Sequence, residues 1–174
     1  MSPDPGPDAG ALLRRVAGRF ATGVTVVTTV VDGTDHAMTV NAFTSVSLDP
    51  LLVLFCAEKS GRFHDVVTDP GACGVWGVSV LAESMRDAAD RFATRGRVLE
   101  GQLEGWDHHR GPATGVALFT GAVATLECRT YAVHEAGDHS IVVGEVVGLD
   151  VPDPGGRPLV FYEGGYRTIS SPGP

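Results

Sequence analysis

The stretch Thr39-Val-Asn-Ala-Phe-Thr-Ser-Val-Ser47 begins as an alternating strand, and all five of its polar residues carry a hydroxyl or an amide. Asn41 within it is the only asparagine of the chain. Hydroxyls, an amide and backbone N–H groups at this density can hydrogen-bond the edge of a flat polar ring. The stretch therefore predicts a strand that carries a binding site for a planar polar ligand.

A second polar segment, Ala57-Glu-Lys-Ser-Gly-Arg-Phe63, follows closely and contains Lys59, the only lysine of the chain. Ser60 and Arg62 stand at the start of a predicted short helix, where free backbone N–H groups favour an anion. This segment predicts an electropositive pocket around Lys59 and Arg62 that holds the phosphate of the same ligand. From the residues alone two structural alternatives stay open, since Ser60 can be a helix cap and the hydroxyls of residues 39–47 can form a solvent face.

Composition limits the classes of partner. The chain has 174 residues, 13 cationic against 21 acidic side chains and a net charge of -8, which argues against nucleic acid or an anionic membrane as a partner. No apolar run of about 18 residues is present, so a membrane-spanning helix is not expected. The three cysteines are widely spaced among apolar residues, a pattern of buried reduced thiols that favours a cytoplasmic location.

The hydrophobic pattern predicts one domain over residues 11–170, with a disordered leader at residues 1–10 and a tail at residues 171–174. The predicted helices cover residues 11–20, 62–67 and 84–95, the last one opened by a capping box at Ser84-Met-Arg-Asp87. The predicted strands cover residues 24–31, 37–48, 51–57, 72–81, 116–134, 140–151 and 159–163.

These elements predict a closed or nearly closed antiparallel barrel with two or three short helices, that is, a mainly β fold. Asp32-Gly33 is expected to turn the first two strands into a hairpin. Residues 96–115 contain several glycines, Trp106 and the pair His108-His109 without a clear period, and are expected to form a long loop. Adjacent histidines do not converge easily on one ion, so no metal site is expected there.

Several nucleotide and hydrolase motifs are absent from the sequence. It contains no G-x-G-x-x-G, no glycine-rich loop ending in Gly-Lys, no H-E-x-x-H and no G-x-S-x-G. A Rossmann domain, a nucleotide hydrolase, a zinc peptidase and an α/β-hydrolase therefore lack their usual signatures. Phosphate binding is expected to depend on loops and helix starts instead.

Short motifs follow one another along residues 16–169 in an order that resembles one known family. They are Thr22-Gly-Val-Thr-Val-Val-Thr28, Thr39-Val-Asn-Ala-Phe-Thr-Ser-Val-Ser-Leu-Asp-Pro50, Lys59-Ser60, Val78-Ser-Val-Leu81, Arg91-Phe92-Ala93, Leu126-Glu-Cys128, Gly137-Asp-His139, Gly144-Glu-Val146 and Pro158-Leu-Val-Phe-Tyr162. The set resembles the flavin reductase-like, FMN-binding split-barrel family. One departure is Cys73-Gly-Val-Trp-Gly77, which replaces a Phe-x-Val-Asn run and leaves Trp76 between glycines.

The resemblance implies a homodimeric Greek-key split β-barrel that uses NADH or NADPH to reduce FMN or FAD. It implies that the reduced flavin passes to a partner flavin-dependent monooxygenase, and that His139 lies beside the nicotinamide ring. The flavin-binding residues that it implies by motif position are Thr39, Asn41, Ala42, Phe43, Thr44 and Ser45 along the ring and Lys59, Ser60 and Arg62 at the phosphate, with Phe92, Tyr162 and Tyr166 as further candidates.

Two alternatives within the same fold stay open. The first is an FMN-binding electron carrier or sensor that does not turn over a nicotinamide nucleotide. The second is an FMN-dependent oxidase that acts on another small substrate, which would require a second anion pocket. Each of the proposed residues also has a structural interpretation, and for His139 it is that of a hairpin residue following Gly137-Asp138.

Overall fold

The computed structural model describes residues 8–69 and 74–170. The described residues leave out most of the predicted leader, the predicted tail and residues 72–73 of one predicted strand, which include Cys73. The described residues contain three helices: α1 is Ala9–Ala17, α2 is Arg62–Thr68, and α3 is Arg86–Ala93, preceded by a 3-10 turn at Glu83–Met85. Within the described residues, none of the helices is both long enough and apolar enough to cross a lipid bilayer.

The strands in the described part of the chain make up most of the fold. They are β1 Thr22–Gly23, β2 Thr25–Val31, β3 Thr34–Val40, β4 Phe43–Leu48, β5 Leu51–Glu58, β6 Val75–Val80, β7 His108–Arg110, β8 Ala117–Phe119, β9 Ala124–Ala136, β10 His139–Asp150, β11 Val160–Tyr162 and β12 Gly165–Arg167. Seven of them form one antiparallel sheet in the order β3-β2-β6-β9-β10-β5-β4. Two small sheets, β1-β11-β12 and β7-β8, flank it.

The two edges of the large sheet are formed by β3 and β4, which only Asn41 and Ala42 connect. A flat sheet of seven strands is roughly 29 Å wide, because neighbouring strands lie about 4.8 Å apart. The three peptide links from Val40 to Phe43 span at most about 11 Å. The sheet therefore curls until its two edges approach each other at this link, which gives it the form of a split barrel and confirms the predicted mainly β fold.

Strand β2 is buried on both of its faces and separates two hydrophobic clusters. Val26 belongs to a cluster that includes α3, and Val27 belongs to a cluster built on Phe55 and Trp76. Neighbouring residues of a strand point to opposite faces, so this run of β-branched residues fits a strand with an apolar environment on each side. The double burial of β2 fixes the position of β3, its hairpin partner, against α3.

Trp76, the bulky residue between glycines, is fully buried on β6 and packs edge-to-face on Phe55 at a centroid distance of 4.9 Å. Gly144 on β10 leaves the space that the indole fills, since a Cβ there would overlap the ring. A close-packed interior has no room for an added methyl at such a contact. Gly144 and Trp76 are therefore a matched pair in the barrel core.

Glu127 on β9 is a second buried group with a structural role, and it is 3% exposed. Its Oε2 atom accepts hydrogen bonds from the backbone N–H of Ala113 at 3.0 Å, the backbone N–H of Thr114 at 2.7 Å and the Thr114 hydroxyl at 2.6 Å. Gly111 and Gly148 lie against the carboxylate, where any Cβ would overlap it. The carboxylate thus holds the loop at residues 111–115 onto the barrel.

Four sequence predictions differ from the structure. Residues 116–134 hold β8 and most of β9 and not one strand, because the chain turns at residues 120–121. Residues 37–48 are two strands and not one, because the chain leaves β2 at Val40 and β4 pairs with β5 instead. The capping box at Ser84 is wrong, since Ser84 lies inside the 3-10 turn and α3 begins without a side-chain cap. Residues 96–115 are turns followed by β7, which pairs with β8, so His108 lies on a strand and not in a loop.

The first helix carries an apolar stripe that the described residues do not bury. Helix α1 begins at Ala9, inside the predicted leader, and none of its described residues is buried. Leu12, Leu13 and Val16 are 58%, 67% and 63% exposed. The periodicity predicts the helix correctly, and the described residues leave its apolar face exposed.

Candidate active site

A cavity of about 490 Å³ lies where β3, the end of β5, the start of α2 and the segment after α3 meet. This volume is within the usual range for small-molecule sites. Its lining contains Thr39, Ser60, Arg62 and Phe92 of the predicted site residues. The structure thus brings Thr39, the first residue of the 39–47 stretch, and the Ser60 segment to one pocket.

Three arginines of the cavity lining, Arg62, Arg95 and Arg97, make it strongly cationic in an acidic protein. Arg97 donates from Nη1 to the Phe92 carbonyl at 2.8 Å and from Nη2 to the Ala37 carbonyl at 2.7 Å. Burial and the neighbouring charges of Arg91 and Arg62 lower the pKa of Arg97. The cavity therefore concentrates positive charge that an anionic ligand would neutralise.

Ser60 and Arg95 are bridged by a carboxylate at the mouth of the cavity. The Ser60 hydroxyl donates to Glu58 Oε1 at 2.9 Å, and the Arg95 guanidinium forms an ion pair with Glu58 Oε2 and also reaches the Ser60 oxygen at 3.3 Å. These contacts lower the pKa of Glu58, with the hydrogen bond from Arg95 as the largest cause. Ser60 thus stands in a polar cluster and is not a helix cap, because the N-cap position of α2 is Gly61.

Lys59 and His139 lie beside the cavity on the β9-β10 hairpin side. The Lys59 ammonium forms an ion pair with Glu135, and its backbone N–H donates to the Asp138 carbonyl at 2.9 Å. His139 pairs with Glu58 across the ladder and lies 2.8 Å from Asp138 through Nδ1. Residues directly opposite on paired strands share one face of a sheet, so Glu58 links His139 to the Ser60 cluster.

The remaining predicted residues divide into two groups. Asn41, Ala42, Thr44 and Ser45 are exposed on the link and edge strand that follow Thr39, and Phe43 is half-buried against the Phe55 cluster. Thr39 itself uses its hydroxyl to bond the Ala89 carbonyl of α3 at 2.7 Å. The edge strand therefore offers its polar groups on the outer surface next to the cavity.

The three aromatic candidates lie in two different parts of the fold. Phe92 is 1% exposed, packs on Trp106 and Phe119, and has the Arg97 guanidinium over its ring, 5.5 Å from the centroid. Tyr166 packs on Phe161 in the flanking sheet, and Tyr162 hydrogen-bonds Arg19. Neither tyrosine belongs to the cavity lining.

Sequence reasoning missed four titratable residues of the cavity: His36, Glu58, Arg95 and Arg97. Burial lowers the pKa of His36, and the charge of Arg62 lowers it further. The sequence contains a signal for Arg95 and Arg97, because three arginines within the seven residues Arg91-Phe-Ala-Thr-Arg-Gly-Arg97 indicate a local concentration of positive charge. No group of three or more His, Cys, Asp or Glu side chains suited to a metal ion occurs in the described part of the chain.

Comparison with known proteins gives the same family as the sequence motifs. The family model described as a flavin reductase-like domain matches residues 17–170. An NADH-dependent FAD reductase of Streptomyces globisporus is 45% identical over 160 residues, covering 91% of this chain and 85% of that protein. The reductase subunit HsaB of a flavin-dependent monooxygenase from Mycobacterium tuberculosis is 37% identical, covering 90% of this chain and 80% of its own length.

A solved structure shares the fold over nearly the whole chain. The NADH:FAD oxidoreductase SgcE6 of Streptomyces globisporus, in complex with NAD and FAD fragments, superposes with a TM-score of 0.86 at 39% identity, and the alignment covers 95% of each chain. The curled sheet and the arginine-lined cavity agree with the family that the family model and the relatives show. The chain belongs to the flavin reductase-like family.

Proposed function

We propose that this protein is a cytoplasmic NADH- or NADPH-dependent flavin reductase that reduces free FMN or FAD and supplies the product to a partner monooxygenase. The family membership supports the reaction class, and relatives of this chain are named as NADH-dependent flavin reductases and as monooxygenase reductase subunits. The observation that carries the proposal is the cationic cavity, which joins the Ser60 segment to the strand that leads into Asn41.

The reaction transfers a hydride from nicotinamide C4 to flavin N5, so the protein's contribution is to hold two rings in contact. Strand β4 is an edge strand that pairs only with β5, and its other edge therefore presents free backbone N–H and C=O groups. These groups and the side chains of Asn41, Thr44 and Ser45 would bind the polar edge of the flavin ring. Donors aimed there stabilise the negative charge of reduced flavin.

The phosphate of the flavin would lie at Ser60, Arg62 and Lys59, with Arg95 and Arg97 adding charge. Arginine guanidinium groups suit phosphate because they donate several hydrogen bonds in a fixed plane. These four cationic side chains suit an anion site, and Ser60 supplies a hydroxyl donor. An overall negative charge is compatible with this, since the site is local.

His139 would position the nicotinamide ring. Its Nδ1 atom is held by the Asp138 carboxylate, and its side chain is 40% exposed beside the cavity mouth. A ring fixed at one nitrogen by a carboxylate has a defined orientation, which suits a positioning role. Replacing His139 with Ala should lower NADH turnover by about 10-fold or more while flavin binding is retained.

We also propose a homodimer with the flavin site near the subunit boundary. The exposed face of α1, made of Leu12, Leu13 and Val16, together with the exposed Val46 and Leu48 of β4, is apolar surface that one subunit leaves uncovered. Exposed apolar patches of this kind mark association surfaces. Light scattering on the purified protein tests this, and a Leu13→Arg variant should shift the mass toward that of one chain.

The test of the main proposal is oxidation of NADH and NADPH, followed at 340 nm, with and without added FMN, FAD or riboflavin. Turnover that saturates with added free flavin is the expected result. Flavin binding without nucleotide oxidation would instead indicate an electron carrier. Oxidation that appears only with an added amine or carbonyl substrate would indicate an oxidase.

A further inference from the structure

Glu58 occupies the same donors that the proposed function assigns to the flavin phosphate. Its carboxylate accepts the Ser60 hydroxyl at 2.9 Å through one oxygen and pairs with Arg95 through the other. Arg95 also reaches the Ser60 oxygen at 3.3 Å, so the three groups form a closed cluster. A phosphate that accepts a hydrogen bond from Ser60 must replace Glu58 there, because a hydroxyl has only one proton to donate.

Arg62 and Arg97, the other two arginines of the cavity lining, contact backbone carbonyls instead. Arg62 donates to the backbone carbonyl of Arg97, and Arg97 donates to the carbonyls of Phe92, Thr94 and Ala37. Among the described residues, neither guanidinium forms an ion pair with a carboxylate. Of the three arginines in the cavity lining, Arg95 is thus neutralised by Glu58, whereas Arg62 and Arg97 keep their positive charge.

Glu58 is held in this arrangement by its position in the sheet. It is the last residue of β5 and pairs with His139 of β10, so its backbone is fixed by the ladder. The side chain is 38% exposed, which leaves it free to swing away when another anion takes its donors. Its contacts lower its pKa below the usual value, so the carboxylate is ionised at neutral pH.

We propose that Glu58 is an internal competitor of the flavin phosphate, which weakens flavin binding so that flavin is exchanged as a diffusible substrate. This inference rests on the proposed function, because it needs a phosphate-bearing ligand at Ser60. Binding exchanges one anion for another at the same donors, so only the difference between the two sets of contacts contributes to affinity. The displaced carboxylate also stays near the phosphate and repels it.

The test compares flavin binding by the wild-type protein and a Glu58→Gln variant. Gln keeps the size of the side chain but removes its charge and gives Arg95 and Ser60 a weaker acceptor. The control is Asp32→Asn, which makes the same charge change in the exposed β2-β3 turn. Dissociation constants for FMN and riboflavin are measured by fluorescence titration, and riboflavin is the reference because it lacks the phosphate.

In Glu58→Gln we expect the ratio of the riboflavin to the FMN dissociation constant to rise by about 3- to 10-fold, as is reasonable for one exposed ionic contact. In Asp32→Asn the ratio should change by less than about 2-fold, an effect of long-range screened charge only. The dissociation rate of FMN from Glu58→Gln should fall by a similar factor. An unchanged or lower ratio in Glu58→Gln would overturn the inference.

The outcomes separate this inference from the proposed function. If the wild-type protein oxidises NADH with added flavin but Glu58→Gln leaves the ratio unchanged, only the role of Glu58 is refuted. If the wild-type protein binds no flavin, both are refuted. Should Glu58→Gln fold poorly by circular dichroism, Glu58→Asp is the second variant, because it keeps the charge but withdraws it from Ser60, and a smaller rise in the ratio is expected.

Discussion

Removal of the buried Glu127 carboxylate should destabilise the fold by an amount that follows from its hydrogen bonds. In Glu127→Ala the N–H groups of Ala113 and Thr114 and the Thr114 hydroxyl lose their acceptor. Each unsatisfied donor costs about 1–3 kcal/mol when buried. Ala113 is exposed and Thr114 is half-buried, so water replaces part of the loss and the low end applies. We expect the free energy of unfolding to fall by about 2–3 kcal/mol.

A Glu127→Gln variant separates the hydrogen bonds from the charge. Its side-chain carbonyl can take the position of Oε2 and keep all three donors, while its NH₂ group lies where Oε1 faces Ala113 at 3.3 Å. The loss should then be about 1 kcal/mol, the difference between a charged and a neutral acceptor.

Urea unfolding followed by circular dichroism measures both variants, with unchanged slopes required for a two-state comparison. For a chain of this size, 2–3 kcal/mol corresponds to a fall in Tm of about 4–12 °C. A Glu127→Ala protein within about 0.5 kcal/mol of the wild type would refute the reasoning, since that is the range of ordinary surface changes. An equal loss in both variants would show that the charge, and not the number of acceptors, is decisive.

Other predictions concern the core and the thiols. Gly144→Ala should lower the free energy of unfolding by about 1–3 kcal/mol because its methyl group overlaps Trp76, whereas Gly23→Ala, which meets no neighbour within 4 Å, should change it by less than about 0.5 kcal/mol. Equal thermal shifts in the two variants would contradict this. Burial and the nearby Glu127 charge raise the pKa of Cys128 to about 12, so at pH 8 only about one thiol in ten thousand is ionised. Iodoacetamide should therefore label the Cys128 peptide in urea but not in the native protein, and equal labelling by mass spectrometry would contradict the burial.

Local signals predicted the parts of the fold that depend on near neighbours in sequence. Asp32-Gly33 turns β2 into β3 with both residues at positive φ, as the hairpin dipeptide indicates. Helix α2 begins at Arg62 as predicted, and the segment around Ser60 meets Thr39 at the cavity. These elements follow from residues that lie close together in the chain.

Features that depend on distant partners were not readable from the pattern. The alternation of residues 37–48 continues through Asn41-Ala42, so it carries no mark of the change from β2 to β5 as partner. Arg97 lies 35 residues beyond Arg62, and only the folded chain brings its guanidinium to the Ala37 carbonyl. Likewise, nothing in the run that ends at Glu58 indicates that its carboxylate bonds Ser60 and Arg95.

The pairing of β5 with β10 determines how long β5 waits for its second partner strand during synthesis on the ribosome. Cys56 pairs with Ile141, so β5 has only the β4 hairpin as a partner until about 85 more residues have been made. At 5–20 residues per second this takes roughly 4–17 s. During that time the apolar Val53, Phe55 and Ala57 of β5, which the finished structure buries, have no barrel to join. The β9-β10 hairpin therefore completes the burial of β5 and ends the period in which its apolar residues expose the nascent chain to aggregation.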